Sequence, residues 1–150
     1  MIYFNKYATG DGLMTKEKSC GAVIFRKHQN SYQFMIIKQR FGLHFGFPKG
    51  RVEENESELM TAKREVKEEV GLDIKIFEHL RDVTNYYPKP SVSKEVVYFL
   101  AEATSNDLIL QKEEVDLALW VNQDDVLEKL TYDNDKNMFK NLLKKAKLHG

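Results

Sequence analysis

Four glutamates, Glu58, Glu65, Glu68 and Glu69, are spaced seven, three and one apart in a stretch that reads as a helix. At about 100° per residue, Glu58, Glu65 and Glu69 fall within roughly 40° of arc, with Glu68 about 60° to one side of Glu65. Carboxylates gathered on one face repel, weakening an isolated helix by about a few tenths of a kcal/mol per pair. A hard divalent cation offsets that repulsion: Mg²⁺, or Mn²⁺ in its place, takes carboxylate oxygens, keeps part of its water shell and bridges to phosphate. The chemistry on offer is that of a divalent cation held by carboxylates against a phosphate. The rival reading is an acidic solvated face balanced by Lys63, Arg64 and Lys67.

The flanking residues decide between the two. From Gly50 to Leu72 the chain runs GRVEENESELMTAKREVKEEVGL, of the form G-x5-E-x7-R-E-U-x-E-E-x-G-U, where the bulky aliphatic U is Val66 and Leu72. Gly50, Glu56, Arg64, Glu65, Glu68, Glu69 and Gly71 fill every fixed position. At about 6% per residue type, such a match arises by chance on the order of once in 10⁸ windows or fewer, so coincidence is no competitor.

This series resembles the signature of the Nudix hydrolases, which generally hydrolyse a nucleoside diphosphate linked to another moiety. The resemblance implies an α/β fold, an α/β/α sandwich with a central mixed sheet, from about Lys18 to the C-terminus. It also implies that Glu65, Glu68 and Glu69 bind metal, with the backbone carbonyl of Lys49 as a further ligand. Arg64 would orient the helix by pairing with a glutamate such as Glu56 or Glu65. The general base is left as a set, Glu65, Glu69 and Glu114. Of Glu113 and Glu114, the latter better fits the place before Trp120 where the family often has a glutamate near the metals.

Outside that box, Cys20 to Phe25 (CGAVIF), His44 to Gly50 (HFGFPKG), Asn85-Tyr86 and Lys94 to Glu102 (KEVVYFLAE) are similar to the asymmetric diadenosine tetraphosphate hydrolases. That likeness implies that His44, Lys49 and Lys94 approach the phosphates and that Tyr86 stacks on a base. One position departs. Where that subfamily has a second stacking tyrosine two residues before its tryptophan, this chain has Ala118 before Trp120. Arg40 to His44 (RFGLH) with Phe47-Pro48 also resembles bacterial RNA 5′-pyrophosphohydrolases, so an RNA 5′ end is the alternative substrate. A nucleoside triphosphate is a third, and a nucleotide-binding regulatory module is the reading without catalysis.

These residues need elements to hold them. Ser19–Arg26 and Tyr32–Arg40 are rich in β-branched and aromatic residues and flank a polar turn, which predicts a hairpin. Phe45–Phe47 reads as a short extended piece ending at Pro48. Leu59, Ala62, Val66 and Val70 recur at helical spacing, which predicts a helix over Glu56–Val70, with an Asn55/Glu58 capping box and Gly71 as its stop. Ile74–Val83, Glu95–Ala103 and Leu117–Val121 read as strands, with Tyr86–Ser93 a loop. Asp124 or Asp125 can cap a short helix through Leu130, and Asn134 a last helix carrying Phe139, Leu142, Leu143 and Ala146 on one face. Its lysines, Lys140, Lys144, Lys145 and Lys147, suit the helix C-terminus and a solvated face.

The bulk properties agree with one domain over 1–150, with Met1–Glu17 a disordered lead or an extra strand through Ile2–Tyr7. The 150 residues are 42% hydrophobic and 31% charged, ordinary globular usage. Lys plus Arg equals Asp plus Glu at 23 each, which removes the global basic field that would draw the chain onto duplex DNA. No apolar run approaches the roughly 20 residues that span a bilayer, and the first residues lack a signal-peptide core, so a cytoplasmic protein without membrane contact is expected. No obligate protein partner is evident. Cys20, the only cysteine, reads as a small buried strand residue.

Overall fold

The computed structural model describes residues 4–9 and 12–147. In chain order its elements are β1 (Phe4–Thr9), β2 (Gly12–His28), β3 (Ser31–Gln39), β4 (Phe45–Gly46), β5 (Lys49–Arg51), α1 (Glu58–Val70), β6 (Ile74–Lys89), β7 (Val92–Ala103) and β8 (Val115–Asn122). A 3₁₀ turn at Gln123–Asp125 leads into α2 (Val126–Lys129), and α3 (Asp133–Ala146) follows. Of the proposed N-terminal strand, Ile2 and Tyr3 lie outside the described residues, and Phe4–Thr9 pairs antiparallel with β2.

The strands form one mixed sheet: β2 and β7 run parallel, the other pairings antiparallel. Period-two alternation sends successive side chains of β2 to opposite faces. Val23 and Phe25 join Phe34, Ile36, Val96 and Tyr98 under Phe139 and Leu142 of α3. Ala22 and Ile24 join Met35, Ile37 and Ala101 under Val66 and Val70 of α1. The result is the α/β/α sandwich expected from the sequence.

The hairpin between β2 and β3 closes through Gln29 and Asn30, both at positive φ (49° and 69°), the backbone sense that matches the strands' twist. β2 is longer than its own residues suggest because it is paired along almost its whole length, to β1, β7, β5 and β3 in turn. On one edge its neighbour changes from β5 at Ser19–Gly21 to β3 at Phe25–His28, so the sheet forks there.

Four expectations about local structure are corrected. The segment Tyr86–Ser93 is a strand pair, not a loop: the β6–β7 ladder continues through Asn85↔Glu95 and Tyr86↔Lys94 to Lys89↔Val92. A register shift between Tyr86 and Lys89 accommodates Pro88, which has no N–H for the ladder. Helix α1 is capped by Ser57, whose hydroxyl accepts from the Met60 N–H at 3.1 Å, while Asn55 sits in a left-handed turn at φ 68°. The helix therefore starts at Glu58 rather than Glu56, and Gly71 ends it at φ 76°, a conformation a side chain would strain. Asn134 lies inside α3, whose N-cap is Tyr132 and has no side-chain hydrogen bond. Asp125 is the N-cap residue of α2, one of the two expected, and likewise makes no side-chain hydrogen bond there.

Glu58 does not join the other three glutamates. It shares their azimuth, but seven residues set it about 10 Å back along the helix axis from Glu65. There its carboxylate accepts from Arg81 Nε and Nη2, both at 2.8 Å, and pairs with Lys18 Nζ at 2.7 Å. The Arg81 hydrogen bonds hold the Glu58 carboxyl down at about 2, below its ordinary 4.5. A depressed folded value means that this stabilisation is complete above pH 4.5 and is lost as pH falls toward 2. Wild type and Glu58→Gln are therefore expected to differ most in melting temperature at pH 5 and above, and to converge near pH 2. Parallel curves over that range would refute the assignment.

Candidate active site

The site is built on α1 and the strand that crosses its middle. Gly50 of β5 pairs with Cys20 of β2, and a methyl group on Gly50 would overlap the Glu65 carboxyl. Only glycine lets the β5 backbone lie this close to a buried acid. Arg64, one residue along the helix, forks onto Glu56 through Nε–Oε2 (2.6 Å) and Nη2–Oε1 (2.9 Å). Its Nη1 also donates to Glu65 Oε1 (2.7 Å) and Glu68 Oε2 (3.1 Å), and its Nη2 to the Arg51 carbonyl (3.0 Å). Arg64 thus ties β5, the loop at Glu56 and α1 into one unit. The Arg64 hydrogen bonds hold Glu56 down at about 2. Arg64 lines neither of the hollows described below, which makes it a positioning residue rather than a catalytic one.

Glu65 and Glu69 are 9% and 2% exposed, an unusual burial for carboxylates one helical turn apart. Desolvation raises both; for Glu69 the charges of Glu65 and Glu114 add to it, lifting its carboxyl to about 8. The Lys49 backbone N–H donates to Glu69, yet Glu69 Oε2 is buried without a hydrogen-bond partner. An orphaned carboxylate oxygen beside a second buried carboxylate costs free energy unless a cation completes it. Hard oxygen donors of this kind fit Mg²⁺ or Mn²⁺. No three acidic side chains among the described residues already converge on one point. Arg64 draws Glu65 and Glu68 toward itself, and Glu68 and Glu114 are exposed, so closing the set requires those two side chains to turn inward.

Beside the carboxylates a cleft of about 660 Å³ opens on the α3 face of the sheet, with His44, Lys49, Glu69, Tyr86, Lys94 and Glu114 in its walls. A shallower hollow of about 370 Å³ adjoins it and contains Glu65, Glu68 and Glu53. Lys49, Gly50, Arg51 and Glu114 border both. Every sequence-predicted binding and metal residue therefore reaches one of two connected spaces. Glu113 reaches neither, while Glu114 bridges them, its carbonyl holding the Arg40 N–H at 2.9 Å.

Strand alternation explains the cleft's floor. Lys94, Val96 and Tyr98 of β7 point the same way, and Tyr86 of β6 stands directly opposite Lys94, its ring 6.0 Å from the ammonium. Burial lowers Lys49 and lowers Lys94 to about 8, the Lys49 charge contributing to the latter. Two partly dehydrated ammonium groups side by side favour an anion between them.

Two residues of the cleft carry no sequence signal. Tyr132 hydrogen-bonds His44 Nδ1 through its hydroxyl at 2.8 Å, with ring centroids 4.9 Å apart. Asp135 lies three residues further into α3 and also lines the cleft. Their place depends on where the α2–α3 connection lands: Thr131 donates its N–H to the Phe45 carbonyl (3.2 Å), and its hydroxyl oxygen accepts from the Phe45 N–H (2.8 Å). Ala118, by contrast, pairs with Ile37 and packs on the α1 core, away from the cleft.

A mixed sheet between helices, with an acidic helix and two lysines beside a cleft, supplies the groups that a hydrolase of phosphoanhydride bonds requires. The profile of the NUDIX domain family matches residues 15–142, and the chain belongs to the Nudix hydrolases. Among its relatives is the bis(5′-nucleosyl)-tetraphosphatase [asymmetrical] of Sus scrofa, 37% identical over 103 residues that cover 61% of this chain and 68% of the relative. An 8-oxo-(d)GTP phosphatase of Mycolicibacterium smegmatis is 28% identical over 137 residues, 85% of this chain but 42% of that protein. Among solved structures, a binary complex of the Caenorhabditis elegans Ap4A hydrolase superposes with a TM-score of 0.80 at 25% identity, over 87% of this chain and 98% of the other. No helix among the described residues is long and apolar enough to cross a membrane.

Proposed function

We propose that this Nudix hydrolase is a magnesium-dependent bis(5′-nucleosyl)-tetraphosphatase that cuts a dinucleoside tetraphosphate asymmetrically, into a nucleoside triphosphate and a mononucleotide. The observation that carries the reading is the continuity of an aromatic-walled cleft, a lysine pair and an acidic hollow. Tyr86 and Tyr132 both line the cleft. They supply two rings for a base where position 118 supplies none. The tetraphosphatase relatives in mammals and nematode support the same substrate class.

In this reading Glu65, Glu68, Glu69 and the Lys49 carbonyl would hold the cation, with Glu114 beside it. When bound, it supplies Lewis acidity, neutralising phosphate charge and making a water more acidic. Lys49 and Lys94 bind phosphate oxygens between them, and the anion favours their protonated forms against the burial that lowers them. With the Tyr132 hydroxyl donating to His44 Nδ1, His44 Nε2 carries the ring proton and can donate to a phosphate oxygen. Glu114, exposed at the boundary of the two hollows, accepts the proton of the attacking water. Glu114→Gln is accordingly expected to lower kcat on the order of 10²-fold with little change in KM; an unchanged kcat would return the base to Glu65 or Glu69.

Each of Tyr86→Ala and Tyr132→Ala is expected to raise KM for a dinucleotide by about tenfold or more while kcat moves less. A KM unaffected by both would remove the stacking role. The substrate itself is tested by product analysis with Mg²⁺ on diadenosine tetraphosphate, RNA bearing a 5′-triphosphate, and dGTP. ATP plus AMP, formed from the first at the highest kcat/KM, is the expected result. Faster release of pyrophosphate from either of the others would overturn it.

A further inference from the structure

Asp135 is the one acidic residue of the large cleft that the chemistry above does not use. It sits in the first turn of α3, which the paired Thr131–Phe45 hydrogen bonds pin above β4. Its carboxyl lies over the β4 backbone, where a methyl group on Gly46 would come within 3.3 Å of Oδ2. Its charge reaches Lys49, Tyr86 and Tyr98. No hydrogen bond or ion pair among the described residues satisfies it, in contrast to Asp82 nearby, which holds both Asn141 and Lys145.

An acid at a helix N-terminus is ordinarily a dipole partner in water, and Asp133, with a side chain 94% exposed, is placed for that. Asp135 is not: burial raises its carboxyl above the ordinary value. What faces it is chemically specific. Aromatic residues line much of the cleft: Phe47 and Tyr98 are buried behind it, each 1% exposed, and Tyr86 and Tyr132 are the more exposed rings. A flat heteroaromatic ring suits that surface, whereas a ribose or a phosphate would leave its polar groups against carbon. A base lying in the cleft has a polar edge, and Asp135, half-buried in the same cleft wall, has an acceptor that no side chain or backbone group among the described residues occupies.

We propose that Asp135 selects the base, accepting a hydrogen bond from the exocyclic amino group of an adenine seated between Tyr86 and Tyr132. The proposal rests on the reading of the cleft as a nucleoside site and adds to it a residue that decides which base is held. An acceptor with no partner of its own gains when the amino group arrives, and is left desolvated when a base without one takes its place.

The test compares binding of two mononucleotides to the full chain with Mg²⁺ by calorimetry: AMP, and purine riboside 5′-monophosphate, which carries hydrogen in place of the amino group. Wild type is expected to bind AMP about tenfold more tightly. Asp135→Ala and Asp135→Leu should bring the two within about twofold, chiefly by weakening AMP, while Asp135→Asn, whose amide oxygen still accepts, retains the preference. Thermal melting of each variant confirms that the fold is intact. Equal affinities in wild type, or a preference that survives in Asp135→Ala or Asp135→Leu, would overturn the proposal. Mononucleotide binding does not depend on which polyphosphate is cut, so failure on diadenosine tetraphosphate would remove the tetraphosphatase reading and leave this result standing.

Discussion

Glu69→Gln is expected to melt no lower than wild type in the absence of divalent cation, and yet to hydrolyse its substrate on the order of 10³-fold more slowly with Mg²⁺ present. The two effects have one cause. In the folded protein the Glu69 carboxyl is nearly fully buried, one oxygen lacks a partner, and burial with the charges of Glu65 and Glu114 lifts it to about 8. A carboxyl whose folded value is raised takes up a proton on folding, so the native state is penalised progressively as pH climbs from the ordinary 4.5 through about 8. A neutral amide escapes that penalty. It also cannot serve as an anionic ligand.

Magnesium should reverse the order. A ligand that binds only the folded state at 100 times its dissociation constant stabilises it by about 2.7 kcal/mol, and most of that gain is expected to vanish in the glutamine variant. Melting curves at pH 8 with and without Mg²⁺, run beside an activity assay, read all three quantities. A glutamine variant that is less stable without cation, or one that gains as much from Mg²⁺ as wild type, would show that Glu69 is a structural carboxyl and not a ligand.

Gly50→Ala should be nearly as damaging to catalysis, by about 10²-fold or more, at a small cost in stability. The added methyl would occupy the space of the Glu65 carboxyl. Because that carboxyl is the far end of a side chain, it can swing aside without dislodging β5 or α1, so the melting temperature should fall by only a few degrees, as for about 1 kcal/mol. The carboxylate would nevertheless leave the place where Arg64 Nη1 and the β5 backbone now hold it. The signature is a raised Mg²⁺ concentration for half-maximal rate. If the variant keeps wild-type metal dependence and loses its melting transition instead, Gly50 serves the fold and not the site.

Much of the fold was legible because it rests on local periodicity. The helical spacing of Leu59, Ala62, Val66 and Val70 places α1 and its buried stripe, since a face of that period has one way to meet a sheet. The hairpin of β2 and β3 and the glycine stop at Gly71 follow from residue types in the same way. The helix start was misplaced because Asn55 and Ser57 are both good caps, and only the path of the incoming loop chooses Ser57. The segment through Tyr86 to Ser93 was read as a loop because Pro88 and Pro90 are breakers by type, whereas a bulge opposite β7 removes the conflict.

The site divides along the same line. Residue identity and spacing determined by themselves the family, the acidic helix and its arginine, and the residues around Gly50, because these lie at fixed intervals along one helix and the strand before it. Tertiary structure decided three things. It withdrew Glu58 into a pair with Arg81, put Tyr86 opposite Lys94 on a strand ladder, and carried Tyr132 and Asp135 to the cleft from the far end of the chain. Each of those placements depends on contacts between residues distant in sequence, and helical or strand periodicity holds no information about which surface a remote turn will meet.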